Sequence, residues 1–180
     1  MIQIAGITGS ADVSVKKRAL VPMCADNGVV EEGVTQTGQE VTAIVAENFL
    51  SGATSACVMS RQCGTDVVPV DLGMVVDTKV PTDLKIACGT ANMTKEPAMS
   101  REQAVLALEA GIEMVRRLKE EGYELLATGE MGIGNTTTSS AVAAVLLDRP
   151  AEEMTGRGAG LSGDGLTRKI NAIKKAIEVN

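Results

Sequence analysis

Residues 123–138 read YELLATGEMGIGNTTT: an apolar run, then close-set glycines around a glutamate, then threonines. A short apolar run ended by Gly predicts a buried strand over Tyr123–Thr128. The threonines predict a helix capped by Thr136 or Thr137 and running through Leu147. The same alternation recurs along the chain. Arg18–Ala25 (RALVPMCA) predicts a buried strand broken by Asp26-Asn-Gly28, and Pro22 inside it suggests an edge position or a bulge. Gln39 to about Arg61 places Val41, Ile44, Val45, Phe49 and Leu50 at helical spacing, with a break or bend near Ser51-Gly52. Asp66–Leu72 predicts another strand ending in Gly. The connection 73–99 holds at most a short strand at Leu84–Cys88. Ser100-Arg-Glu-Gln103 spells a capping box. It opens a helix to about Glu121, with Val105, Leu106, Leu108, Ile112, Val115 and Leu118 as its expected buried stripe. A last helix is expected from about Asp164 to Glu178. Strands alternating with helices imply right-handed crossovers and a mostly parallel, doubly wound α/β sheet, here a single domain over residues 1–180.

Composition removes whole classes of chemistry. The 180 residues include one Tyr, one Phe, no Trp and no His. Imidazole acid–base catalysis and histidine metal ligation are therefore excluded. Net charge is −6, with Lys and Arg scattered, so neither the basic stripe nor the stacking aromatics of a nucleic-acid groove is present. No apolar run of membrane-spanning length stands out, and the start, MIQIAGITGSADVSVKK, does not read as a signal peptide. Cys24, Cys57, Cys63 and Cys88 form no CxxC pair; reduced thiols in a cytoplasmic setting are the expectation.

In an open parallel sheet, ligands bind beyond the carboxyl ends of the strands. Three loops fall there: Asp26-Asn-Gly28, Asp71-Leu-Gly73 and Gly129–Thr138. In the third, Gly132 and Gly134 let backbone amides approach a ligand, and Thr136–Thr138 bring hydroxyls and a helix N-terminus. That set suits phosphate. It is neither a Walker A loop nor a complete dinucleotide fingerprint, and the same spacing also suits a tight turn with a threonine cap. Glu130 adds chemistry a structural turn does not need: a carboxylate beside an anion site can handle a proton or a sugar hydroxyl. Gly156-Arg157-Gly158 and Lys169 can supply cations, Arg with a two-pronged grip.

Taken in order, Ala25-Asp-Asn-Gly-Val29, Glu32-Gly-Val-Thr35, Val41-Thr42-Ala43, Val70-Asp-Leu-Gly73, Pro97-Ala-Met-Ser-Arg101, Gly129-Glu-Met-Gly-Ile-Gly-Asn-Thr-Thr137, Gly156-Arg-Gly-Ala-Gly160 and Arg168-Lys-Ile170 closely resemble the nicotinate-nucleotide–dimethylbenzimidazole phosphoribosyltransferases. The resemblance implies transfer of the 5-phosphoribosyl group from nicotinate mononucleotide to 5,6-dimethylbenzimidazole, giving α-ribazole 5′-phosphate and nicotinate. It also implies a homodimer, a Rossmann-like large domain, a small helical domain largely missing from these residues, and no metal or organic cofactor. By the same resemblance Lys169 reaches the nucleotide and Glu130 lies by the ribose or the base. Thr37 then lines the base pocket, while Asp26, Gly132, Gly134, Asn135, Thr136, Gly156, Arg157 and Gly158 contribute to substrate binding.

Two departures qualify this. The family usually shows Asp-His-Gly where this chain has Asp26-Asn27-Gly28, and Val45 stands where some members carry Gln. The chain also stops just after a helix, with no helix predicted before its first strand, so it reads as the middle of a longer enzyme. The family's proposed general-base glutamate would lie beyond Asn180. The expectation is the nucleotide half of a site with little turnover of its own. A non-catalytic nucleotide-binding subunit completed by a partner chain, and a plain α/β domain with a structural glycine turn, are the alternatives.

Overall fold

The computed structural model describes residues 2–180. Its elements are α1 (Ile2–Thr8), β1 (Arg18–Ala25), a 3-10 turn (Gly28–Glu32), α2 (Glu40–Ser51), α3 (Ser55–Gln62), β2 (Thr65–Val67), β3 (Val70–Gly73), α4 (Arg101–Glu120), β4 (Leu125–Met131), α5 (Asn135–Leu146), α6 (Ala151–Met154) and α7 (Gly163–Val179). Every strand pairing is parallel, with β2 and β3 end to end along one side of β1 and β4 along the other. The expected α/β fold with flanking helices is what forms.

β1 is central, so the edge reading of Pro22 is corrected. Leu20 pairs with Val67 and Met23 with Val70. Pro22, which has no N–H to donate, therefore lies opposite the Val68-Pro69 gap, where the neighbouring ladder is itself interrupted. The irregularity in this ladder falls between Cys24 and Ala25. Side chains of β1 alternate between two helical layers. Ala19 and Val21 pack with Met114 and Leu118 of α4, whereas Cys24 packs with Ala46, Phe49 and Cys57 of α2 and α3. A third cluster joins Ala172, Ile173 and Ala176 of α7 to Ala141 of α5 and to Val29 and Val34. Burying Ile173 fully contributes about 1.5–3 kcal/mol and brings α7 alongside α5, which positions the site.

Several expectations change. Of the predicted α4 stripe only Leu118 is buried; the inward residues are Ala110, Met114 and Leu118, while Val105, Leu106, Leu108, Ile112 and Val115 are exposed. The helix is apolar on two faces, and periodicity cannot say which one meets the sheet. β4 starts two residues later than predicted and runs through Glu130 to Met131. Its Leu125 is exposed, because among the described residues nothing pairs with its outer edge. α5 is capped by Gly134 rather than by a threonine. A short helix, α1, does precede β1, yet it buries none of its residues. Residues 84–88 form no strand, although Ile86 N–H donates to the Leu72 carbonyl at 2.9 Å. Residues 40–62 are, by length and composition, apolar enough to cross a membrane, contrary to the sequence expectation. They fold instead as two helices separated at Gly52, whose φ of 75° ends α2 in the left-handed region.

Candidate active site

The chain leaves β1 for β2 and β3 on one side and returns to β4 on the other, so a crevice opens where the strand order reverses. The glycine loop sits at that point. Gly134 has φ 91°, a conformation glycine adopts without penalty, and it starts α5 with no side-chain cap. The amides of Ile133, Asn135, Thr137 and Thr138 already have acceptors. Among the described residues those of Gly134 and Thr136 do not, which leaves donors and the positive end of α5 for an anion.

A cavity of about 130 Å³ lies against this loop. Its wall brings together Thr37, Gly132, Gly134, Asn135, Thr136, Arg157, Gly158 and Lys169, eight residues that the sequence singled out and that come from four separate segments. Gly156 is outside the wall but contributes its carbonyl. Lys169 Nζ donates to Thr136 Oγ1 at 2.7 Å and to that Gly156 carbonyl at 3.1 Å. The residue is 1% exposed, and among the described residues no carboxylate pairs with it. Burial pushes the Lys169 amine below its ordinary range. Gly158 is required for this packing, since a Cβ there would stand 2.9 Å from Thr136 Oγ1.

Two neighbouring loops close over the cavity. Gln36 Nε2 donates to the Gly160 carbonyl, and Arg168 Nε donates to the Gly33 carbonyl at 3.3 Å. Arg157 Nη1 donates to the Leu161 carbonyl at 2.8 Å, fixing its own turn. Glu130 does not line the cavity; it is the penultimate residue of β4, two residues before Gly132, with the residue as a whole open to solvent. Partial burial of its carboxyl still raises it above the usual carboxylate range.

Asp26 does not join this cluster. It is 1% exposed and lines a different, apolar cavity of about 200 Å³ on the β3 side, with Leu72, Ile86 and Ala98. There Asp26 Oδ2 accepts from the Val75 amide at 2.8 Å, which makes it a knot between loops. Asp71 is similar: its Oδ1 accepts from the amides of Gly73 and Met74 at 2.9 and 2.7 Å, and Lys85 Nζ lies 3.3 Å from Oδ2. Sequence reasoning gave no role to Gln36, nor to the two side chains, Asn27 and Thr42, that hold the glycine loop. Nothing in their spacing marks them, because their partner is a peptide group about ninety or more residues away.

Fold and cavity define an α/β domain with a cavity at its strand-order reversal, walled by a helix N-terminus and a buried ammonium. A model of the phosphoribosyltransferase family matches residues 1–180, and the chain belongs to that family. It is 53% identical over 99% of its length to the nicotinate-nucleotide–dimethylbenzimidazole phosphoribosyltransferase of Ruminiclostridium cellulolyticum and 50% identical to that of Acetivibrio thermocellus. The chain spans about half the length of these curated relatives, 51% of each. The crystal structure of CobT from Thermus thermophilus superposes with a TM-score of 0.92 at 39% identity, over 98% of this chain and 54% of that one.

Proposed function

We propose that the protein transfers a 5-phosphoribosyl group from nicotinate mononucleotide to 5,6-dimethylbenzimidazole or a related flat base. The observation that carries this is Lys169: a buried ammonium without a counter-anion, bonded to the Thr136 hydroxyl in the first turn of a helix whose N-terminus has no side-chain cap. An arrangement of that kind is costly until an anion arrives, and a nucleotide 5′-phosphate supplies the charge. The leaving base in nicotinate mononucleotide is already a pyridinium, so its departure needs little acid. The remaining work is to hold the phosphate, stabilise positive charge developing on the ribose and take the N–H proton of the incoming base.

In this reading Lys169, Arg157, Thr136 and the Gly134 amide hold the phosphate, with Asn135 and the 156–158 turn around the ribose. Thr37 borders the base, and Glu130, with its carboxyl raised by desolvation, is the proton acceptor or ribose partner supplied by these residues. The relatives' greater length and the open β4 edge support a site completed by residues outside this stretch. The exposed apolar side chains of Val105, Leu108, Ile112 and Val115 at seam-like spacing on α4 support a homodimer. Four unpaired thiols suit a reducing, cytoplasmic compartment.

Mass spectrometry tests the reaction: protein from the complete open reading frame, given nicotinate mononucleotide and a panel of aromatic bases, yields nicotinate and an α-ribosyl phosphate of the base. Binding of the nucleotide without any such product would favour a non-catalytic subunit instead.

A further inference from the structure

The glycine loop has little of its own to hold its shape, since residue 134 has no side chain and a positive φ. Yet the peptide groups on both sides of Ile133 are gripped from outside. Ile133 N–H donates to Thr42 Oγ1 on α2 at 3.0 Å, and the Ile133 carbonyl accepts from Asn27 Nδ2, just past β1, at 3.2 Å. Asn27 also accepts from Thr138 Oγ1 at 3.0 Å through Oδ1. Thr42 is 0% exposed. The loop sits tightly on β1 as well, because a Cβ on Gly132 would lie 2.3 Å from the Ala25 carbonyl oxygen.

The planarity of the peptide turns these contacts into a direction. The Ile133 carbonyl and the Gly134 N–H belong to one trans peptide and point opposite ways. Asn27, by holding the carbonyl, aims the Gly134 amide the other way. Thr42 acts likewise on the preceding peptide and so orients the Gly132 carbonyl, which accepts from Asn135 N and Asn135 Nδ2 at 3.0 and 2.7 Å. We propose that Asn27 and Thr42 are positioning residues for the phosphate: a neutral clamp, built from β1 and α2, that holds the glycine loop in its binding shape before the ligand arrives. This rests on the phosphate reading above. Its physical content is pre-organisation, since a loop already ordered loses no freedom when the anion binds.

The test is calorimetric titration of protein from the complete open reading frame with nicotinate mononucleotide and, separately, with nicotinic acid riboside, which lacks the phosphate. Thr42→Val and Asn27→Ala are each expected to weaken the nucleotide on the order of tenfold while changing the riboside by less than about twofold. Thr42→Ser keeps the acceptor and should restore nucleotide binding. The double variant should lose less than the product of the single losses, because both side chains hold one loop. Thermal melts check that the variants fold; should Asn27→Ala fail, the Thr42 pair decides. Wild-type protein that binds nucleotide while Thr42→Val binds it equally well overturns the clamp alone. Equal losses for nucleotide and riboside also overturn it, since that is what general loosening produces. Wild-type protein that binds no nucleotide overturns the phosphate reading, and the clamp with it.

Discussion

Replacing Lys169 with Met separates what the ammonium costs the fold from what it contributes to the ligand. The stem of the side chain survives and the charge goes. Nζ now has two neutral acceptors, Thr136 Oγ1 and the Gly156 carbonyl, at 2.7 and 3.1 Å. Thr136 borders the cavity and Gly156 is exposed, so water can satisfy both acceptors when Nζ is removed. Burying a cation with only neutral partners is unfavourable, and exchanging it for an apolar isostere is expected to leave the free protein as stable or more stable, by about 1–2 kcal/mol. The ligand side has the opposite sign. One charge-assisted hydrogen bond to a phosphate oxygen is worth about 1.5–3 kcal/mol, which is roughly a tenfold to 150-fold loss in Kd for nicotinate mononucleotide. Calorimetric titration reads the second quantity and urea unfolding the first.

The pH dependence has a definite sign. Burial lowers the folded-state pKa of Lys169 below the unfolded value of about 10.4. The unfolded chain thus holds this proton more tightly, and the cost is fully present below the folded pKa. As pH rises from the folded pKa to the unfolded one, wild-type stability should rise relative to Lys169→Met, while its affinity for the nucleotide falls as the ammonium is lost. A variant that is less stable yet binds the nucleotide within about twofold of wild type would show that the ammonium is a structural strut and refute the anion cradle.

Two further outcomes are expected. Gly134→Ala puts a side chain at φ 91° with its Cβ 3.0 Å from Val30 Cγ2, so it should cost about 1–2 kcal/mol in left-handed strain alone and weaken nucleotide binding; an unchanged urea midpoint would contradict the loop geometry. Native protein treated with iodoacetamide should take up label at Cys63 and Cys88 but not at Cys24 or Cys57. Burial first, then the charges of Asp71, Glu130 and Asp26, push the Cys24 thiol up to about 12, leaving almost no thiolate to react. Intact mass after unfolding should then show all four thiols labelled, and early modification of Cys24 would place β1 wrongly.

The strand–glycine–helix order around Glu130 was legible because it is local. Apolar runs, turn residues and the Ser100–Gln103 capping box, which forms with both its hydrogen bonds, are written within a few residues of one another. Most of the wall of the cavity beside the glycine loop was legible for the same reason, since it is made from short glycine- and threonine-rich stretches. What the sequence alone could not decide was direction across space. It marked Val105, Leu108 and Ile112 as a buried stripe, whereas packing turned the smaller Ala110 and the flexible Met114 inward; two apolar faces on one helix give the same periodicity. It grouped Asp26 with the glycine loop because both follow strands, and the fold put that carboxylate on the other side of β1, bonded to the Val75 amide. The sequence offered Lys169 as a cation for the site but not its burial: the Ala172–Ile173–Ala176 cluster draws α7 onto α5 and takes the ammonium out of water. Residue types and local breaks determine which elements form and which chemistry they carry. Only close packing of distant segments decides which face is dry, which charge is stranded without a partner, and therefore where an anion is wanted.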